Sequence, residues 1–313
     1  MYILGVTSDM DQIWDIPAFI KYLSTNQHKS IGIDILPEAL CMRHLKVYDI
    51  LDCFEFASVA IHTWNPLEYH PKYKILYKKK NFWFGRQSAV TEYQCEYTGA
   101  KTFFCMYHRP TAARLGLAGY LHNKYAEISL IHFSADTSDN SIDQFEFNKL
   151  STWSTSSLTH AVDLVPKLPM LLSARDQLQA ALGYLYTDPL TNFYRDILVD
   201  VIVETHVAGT TFFPTEKTIR PMLLGKSFLS FASVNYLAYL RQMGFRTFAD
   251  FWSEDYDGYE GRERLIRMLA IIDEISSMTR SQQATMFWDM QYTLQHNRQL
   301  LSTQSWNNTI TKI

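Results

Sequence analysis

Short apolar runs of strand length alternate with segments of helical periodicity along most of the chain, and this alternation limits the fold more than any other feature. Near the amino end, the runs at 2–7, 30–36 and 54–63 are typical of buried strands, and 16–25 has the spacing of an amphipathic helix. Strands that alternate with helices indicate parallel pairing through helical crossovers. The sequence therefore predicts an α/β protein.

A second series of the same kind begins near residue 99. Its strand-like runs lie at 101–107, 128–134, 199–205 and 227–231. The Ser-, Thr- and Asn-rich stretch at 135–160 is expected to be a loop. Long amphipathic helices are predicted toward the carboxyl end, at 262–278 and 286–301.

These two series predict two facing Rossmann-like domains with helices after them. We place one αβ domain at 1–98, a second αβ domain at 99–278 and a helical extension at 279–313. Ligands of such sheets bind beyond the carboxyl ends of the strands. We therefore expect a cleft where the two sheets face each other.

Composition narrows the class of protein. Of the 313 residues, 47% are hydrophobic and 19% are charged, which suits a large core and argues against disorder. A net charge of −3 disfavours a general nucleic-acid coat protein. The four cysteines lack metal-ligand spacing, no apolar run reaches membrane-spanning length, and the first residues lack a basic leader region. We expect a cytoplasmic protein without a membrane span.

The stretch FFPTEKTIRPMLLGKSF (212–228) predicts a helix that begins at a charged pair. Thr215 suits the N-cap, and Glu216 suits the positive end of the helix dipole. Free N–H groups at such an end attract phosphate, and Lys217 adds a full positive charge. Glu216 could then accept hydrogen bonds from a ribose. The alternative is that Glu216 only caps the helix and Lys217 is solvated.

Further charged residues follow the neighbouring strands. Glu204 ends the strand that precedes this helix, and Arg109 follows the strand at 101–107. An arginine fork binds phosphate oxygens in pairs, so Arg109 could meet the same diphosphate. A salt bridge within the domain is the alternative for Arg109 and the favoured interpretation for Arg114.

Three segments in this order resemble a known family. KTFFCMYHRPTAAR (101–114), VIVET (201–205) and PTEK (214–217) are similar to segments of the donor-binding domain of α1,3-fucosyltransferase-type enzymes. These enzymes have the GT-B architecture of two facing Rossmann-like domains. The chain also resembles uncharacterised phage and marine-virus proteins, often labelled glycosyltransferases, in the run YLRQMGFRTFADFWSEDYD (239–257). These resemblances imply an acceptor-side domain at 1–98 and a donor nucleotide-sugar-binding domain at 99–278. They also imply a location in the host cytoplasm if the protein is virus-encoded.

The resemblance implies roles for particular residues. Glu216 would bind the donor ribose, Lys217 and Arg109 would bind the diphosphate beside Thr215, and Glu204 would lie near the donor sugar as a catalytic residue. The sequence departs from the family at Thr205, where Asn is usual, and it lacks the glycines that often follow the strand at 227–231. The resemblance therefore does not imply fucose as the sugar.

Glycosyl transfer needs cations for the departing diphosphate and a base for the acceptor hydroxyl. We expect the base in the amino-terminal domain, near strand ends, with Asp9 and His62 as the catalytic candidates ahead of Asp11 and Glu68. Asp more often caps a turn and His more often packs in a core. No metal or other cofactor is expected, since the Asp-x-Asp patterns are common and GT-B enzymes usually work without a metal.

A basic and aromatic segment at 72–86 is the candidate acceptor site. Lys78, Lys80 and Trp83 would contact a glycan or a nucleic acid there. The latter would make the protein a phage enzyme that acts on hydroxymethylated DNA bases. The alternative is a solvated edge strand protected by lysines.

The predicted function is transfer of a sugar from a nucleoside-diphosphate sugar to a hydroxyl acceptor. The chain has neither a Walker loop nor a Gly-x-Gly-x-x-Gly motif, which disfavours a kinase or a dehydrogenase. One rival is another nucleotide-dependent transferase. The other is a non-catalytic viral structural or assembly protein that retains the fold.

Overall fold

The protein is an α/β structure built on two parallel four-stranded sheets. The computed structural model describes residues 1–4, 13, 15–35, 39–77, 96–135, 144–172 and 188–302. Within these residues, no helix is long and apolar enough to cross a membrane.

The first sheet has the order β1-β2-β3-β4, and all of its pairs are parallel. Its elements in chain order are β1 (Tyr2–Ile3), α1 (Ile16–Thr25), β2 (Ser30–Asp34), α2 (Val47–Leu51), β3 (Ser58–Thr63) and β4 (Lys74–Tyr77). The predicted helix at 16–25 is confirmed, and the strands at 30–36 and 54–63 are confirmed with shorter bounds. Asp15 caps α1 through Ala18 N at 2.8 Å, which fixes where the helix begins.

The second sheet has the order β6-β5-β7-β8. Its strands are β5 (Phe103–Tyr107), β6 (Ser129–Phe133), β7 (Val199–Val203) and β8 (Ser227–Phe231), all in parallel pairs. Among the residues that the structure describes, the helices of this half are α3 (Ala112–Tyr125), α4 (Gln144–Trp153), α5 (Thr155–Leu164), α6 (Asp188–Asp196), α7 (Glu216–Leu223), α8 (Tyr236–Gln242), α9 (Gly261–Ser277), α10 (Arg280–Asp289) and α11 (Gln291–Ser302).

The strands β6 and β7 lie on opposite sides of β5, so the order of strands reverses between them. The chain passes from β5 through α3 to β6, and then returns to pair β7 on the other side of β5. This arrangement makes β5 and β7 a topological switch point, and a crevice opens at the carboxyl ends of such strands.

The prediction of a loop at 135–160 is wrong, because α4 and α5 occupy most of it. Ser154 caps α5 by accepting from Ser157 N. α5 packs closely on α3 at Gly119, where an added Cβ would lie 2.7 Å from the carbonyl carbon of His160. Tertiary packing therefore overrides the loop-like composition of this stretch.

The two halves of the chain meet through loops at the carboxyl ends of strands. Asn65, just after β3, donates from Nδ2 to Thr210 O at 2.9 Å, and Thr211 donates to Ala39 O. Gly209 is left-handed, with φ of +71°. The loop between β7 and α7 therefore contacts the first half directly.

The helices α10 and α11 pack into the same core as the second sheet, through Phe287 and Leu294 among others.

Candidate functional site

A cavity of about 270 Å³ lies at the carboxyl ends of β5, β6 and β7, beside the first turn of α7. Its volume is near the lower end of the range for small-molecule sites, roughly 300–1,000 Å³. Four permanent cations line it: Arg109, Arg114, Lys217 and Arg220. The other described lining residues are His108, His132, Glu216, Met106, Tyr107, Ser134 and Thr205. Among them, Glu216 is the one carboxylate, so the wall carries an excess of positive charge.

The predicted N-cap at Thr215 is confirmed. Its hydroxyl accepts from Lys217 N at 3.3 Å, and Glu216 occupies the first turn of α7. The side chains of Glu216 and Lys217 are both 16% exposed and pair at 2.7 Å between Oε1 and Nζ. Burial raises the pKa of Glu216, but the Lys217 charge and hydrogen bond outweigh it, so this pKa lies below its ordinary value.

Lys217 has three oxygen partners in the protein. Its Nζ lies 3.2 Å from Thr215 Oγ1 and 3.5 Å from Thr205 Oγ1, in addition to Glu216. An ammonium group has three donors. An anion that binds Lys217 therefore has to displace one of these partners.

Arg114 is a buried guanidinium without a described carboxylate partner. Only 6% of the residue is exposed. Nη1 and Nη2 donate to the carbonyl oxygens of Arg109 and Val203 at 3.2 and 3.4 Å, and Nε is buried without any partner. Burial lowers the pKa of Arg114, as expected for a cation taken out of water. The predicted salt bridge of Arg114 is thus absent from the described structure, and its charge faces the cavity instead.

Two histidines, His108 and His132, also line the cavity. His108 Nδ1 lies 2.9 Å from Ser134 Oγ. His132 is 3% exposed, and its Nδ1 accepts from Leu172 N at 3.4 Å. Burial, with help from the charges of Arg220 and His108, lowers the pKa of His132 to about 4. His132 is therefore neutral near pH 7 and adds no charge to the site.

Glu204 does not line the main cavity. It lies against a much smaller one and is only 2% exposed. Its carboxylate accepts from Thr215 N at 3.1 Å, Thr218 Oγ1 at 2.6 Å, Tyr236 OH at 3.0 Å and the Thr215 hydroxyl. With its oxygens occupied in this way, Glu204 holds the start of α7 in place from beneath.

The predicted residues divide into three groups. Arg109, Glu216 and Lys217 come together in one cavity, with Thr215 at its edge. His62 lies in β3, half-buried and paired in register with Asp34 of β2, and is not among the described residues of the cavity wall. Asp9, Lys78, Lys80 and Trp83 lie outside the described residues. The edge-strand interpretation of the basic segment holds for β4, which pairs with β3 alone among the described strands.

The cavity wall also contains four residues that were not predicted as site residues from the sequence: Arg220, His132, Ser134 and Thr205. His132 and Ser134 lie at the end of a predicted strand, a position that could have identified them. Arg220 is four residues after Glu216, so the two share a helix face. Among the described residues, no group of three His, Cys, Asp or Glu side chains is placed to hold a metal ion.

No protein-family model matches the chain, and no curated protein matches it.

Proposed function

We propose that the protein is a nucleotide-sugar-dependent glycosyltransferase of GT-B architecture, with the donor diphosphate in the cavity beside α7. The observation that carries this proposal is Arg114. A buried cation costs several kcal/mol unless a partner compensates it. Arg114 lines the cavity without a described carboxylate, so an anionic ligand is the partner that its position favours.

The remaining geometry suits a nucleoside diphosphate better than a simple anion. Lys217 and Arg109 offer cations at the mouth, and Glu216 offers a carboxylate that can accept from the two hydroxyls of a ribose. Ligand entry would exchange the Glu216–Lys217 pair for these two contacts. The cavity lies at the switch point of a parallel sheet, where nucleotides bind in doubly wound folds.

In this proposal the cations stabilise the negative charge that develops on the departing diphosphate. A base from the first domain removes the acceptor proton, and Asp9 and His62 stay the candidates for it. The loops after β3 and β7 contact each other, which supports an acceptor that approaches from the first domain. The acceptor is a glycan or a hydroxymethylated DNA base, and no metal is required.

Thermal-shift measurements with UDP, GDP, CDP, ADP and dTDP test the proposal. A ligand at about 100 times its Kd stabilises the native state by about 2.7 kcal/mol, so a clear rise in Tm with one diphosphate is expected. Lys217→Ala should abolish the rise and remain folded. Lys124→Ala is the matched control, because Lys124 pairs with Asp273 outside the cavity and should respond as the wild type does. The absence of a shift with every diphosphate would favour a non-catalytic structural protein.

A further inference from the structure

Arg220 is a second buried guanidinium in the cavity wall, three residues beyond Lys217 in α7. It is 2% exposed, and its Nε donates to Tyr194 OH at 2.8 Å. Within the described part of the chain, no group accepts a hydrogen bond from Nη1 or Nη2. Asp200 Oδ2 lies 4.0 Å from Nη2, beyond hydrogen-bond distance. The two terminal nitrogens are therefore the donors that Arg220 retains for a ligand.

A chain of hydrogen bonds through Tyr194 to Asp200 positions Arg220. Tyr194 OH accepts from Arg220 and donates to Asp200 Oδ2, and both residues are fully buried. The other Asp200 oxygen, Oδ1, has no partner. Burial raises the pKa of Asp200 to about 6, so this carboxyl is still mostly ionised near pH 7 and faces Arg220 Nη2 across 4.0 Å. Arg220 is thus fixed in position by Tyr194, and Asp200 compensates its charge without accepting a hydrogen bond from its terminal nitrogens.

Arg220 is better prepared to bind an anion than Lys217 is. The three donors of Lys217 are directed at Thr205, Thr215 and Glu216, whereas the terminal nitrogens of Arg220 make no hydrogen bond to the described residues. A guanidinium fork matches two oxygens of one phosphoryl group. No rearrangement of α7 is needed to present it.

We propose that Arg220 binds a phosphoryl group of the ligand directly, and that Tyr194 and Asp200 position it. The proposal rests on the proposed function for the identity of that ligand as a nucleoside diphosphate. It adds to that function a preformed phosphoryl subsite on the inner wall of the cavity. Lys217 completes the binding of the diphosphate after it leaves Glu216.

Calorimetric titration tests this subsite, with the diphosphate that gives the thermal shift and with its parent nucleoside as probes. Arg220→Gln should weaken diphosphate binding about 10- to 100-fold, the range for hydrogen bonds to charged groups, and leave nucleoside binding unchanged. Arg220→Lys should recover part of the loss, because it restores the charge without the fork. Tyr194→Phe should weaken the diphosphate by a smaller factor, since Arg220 is still present but less firmly held.

The controls separate this subsite from general stability. Arg264→Lys changes another fully buried guanidinium, one that pairs with Asp257 away from the cavity, and should leave both affinities unchanged. Circular dichroism checks that each variant is folded. If Arg220→Gln fails to fold, Arg220→Lys and Tyr194→Phe replace it, and wild-type diphosphate affinity in both overturns the inference.

The outcomes also separate this inference from the proposed function. A wild type that binds a diphosphate and an Arg220→Gln variant that binds it equally well would overturn the phosphoryl subsite alone. Equal losses for nucleoside and diphosphate would show a structural role and would also overturn it. A wild type that binds no diphosphate would overturn both.

Discussion

Replacing Arg114 by Met should make the protein more stable and impair its binding site. Met keeps much of the side-chain volume and removes the charge. The wild type bears the desolvation of a cation that is 6% exposed, a cost of several kcal/mol. Two long hydrogen bonds from Arg114 to carbonyl oxygens, at 3.2 and 3.4 Å, offset this cost by about 1 kcal/mol each or less. We expect the free energy of unfolding to rise by about 1–2 kcal/mol.

The same substitution should weaken diphosphate binding. A unit charge that acts on a phosphate a few ångströms away, at an effective dielectric constant near 20, contributes about 2–4 kcal/mol. This corresponds to a loss of affinity of roughly 30- to 1,000-fold. Urea denaturation measures the stability, and calorimetric titration with the diphosphate measures the affinity.

Arg264→Met is the control, for which we expect the opposite change in the free energy of unfolding. Arg264 is fully buried like Arg114, but it pairs with Asp257 at 3.3 Å and donates to several carbonyl oxygens. Its loss leaves a buried carboxylate without its partner, which should lower the free energy of unfolding by about 3–5 kcal/mol. Destabilisation of Arg114→Met by more than about 2 kcal/mol, or unchanged diphosphate affinity, would refute the reasoning.

Three further predictions concern stability. Glu204→Gln puts an amide nitrogen among the donors that meet this carboxylate, so urea denaturation should show a free energy of unfolding lower by about 1–3 kcal/mol, while turnover per folded molecule is retained. A large loss of turnover at unchanged stability would instead support Glu204 as a catalytic residue. The pKa of His132 is lowered to about 4 from about 6.5 in the unfolded chain, so the stability from its neutral form is present above pH 6.5 and is lost as the pH falls toward 4, by about 3 kcal/mol. His132→Gln should flatten this pH dependence of unfolding, and an equally steep curve in that variant would contradict the prediction. Gly209→Ala combines a φ of +71° with a Cβ 2.8 Å from His44 Cβ, so denaturation should show a free energy of unfolding lower by at least about 1–2 kcal/mol. Gly258→Ala is the control, because its added Cβ meets nothing within 4 Å and should leave stability nearly unchanged. Equal stability of the two variants would show that Gly209 is not constrained.

Local signals in the sequence determined most of the individual elements. The helix at 16–25 and the strand at 227–231 have the bounds that periodicity predicts, and Thr215 begins α7 as its side chain predicts. These features depend on contacts within a few residues: alternation along a strand, a side chain that bonds to a nearby N–H group, and charge at a helix end. Parallel pairing followed from the order of elements, because right-handed crossovers leave few alternatives.

The tertiary structure decided what each charged side chain does. Arg114 was expected in a salt bridge and instead lines the cavity. Glu204 anchors the start of α7, and its place near a donor sugar stays a prediction. Arg220 joins the site because the packing of α7 on the second sheet places it against Tyr194 in the cavity wall. Whether a charge finds a counter-charge depends on residues far away in sequence, and burial then sets the free energy of leaving it unpaired. A single sequence does not contain those distances, so it specified the start of the helix and left the cavity around it to the fold.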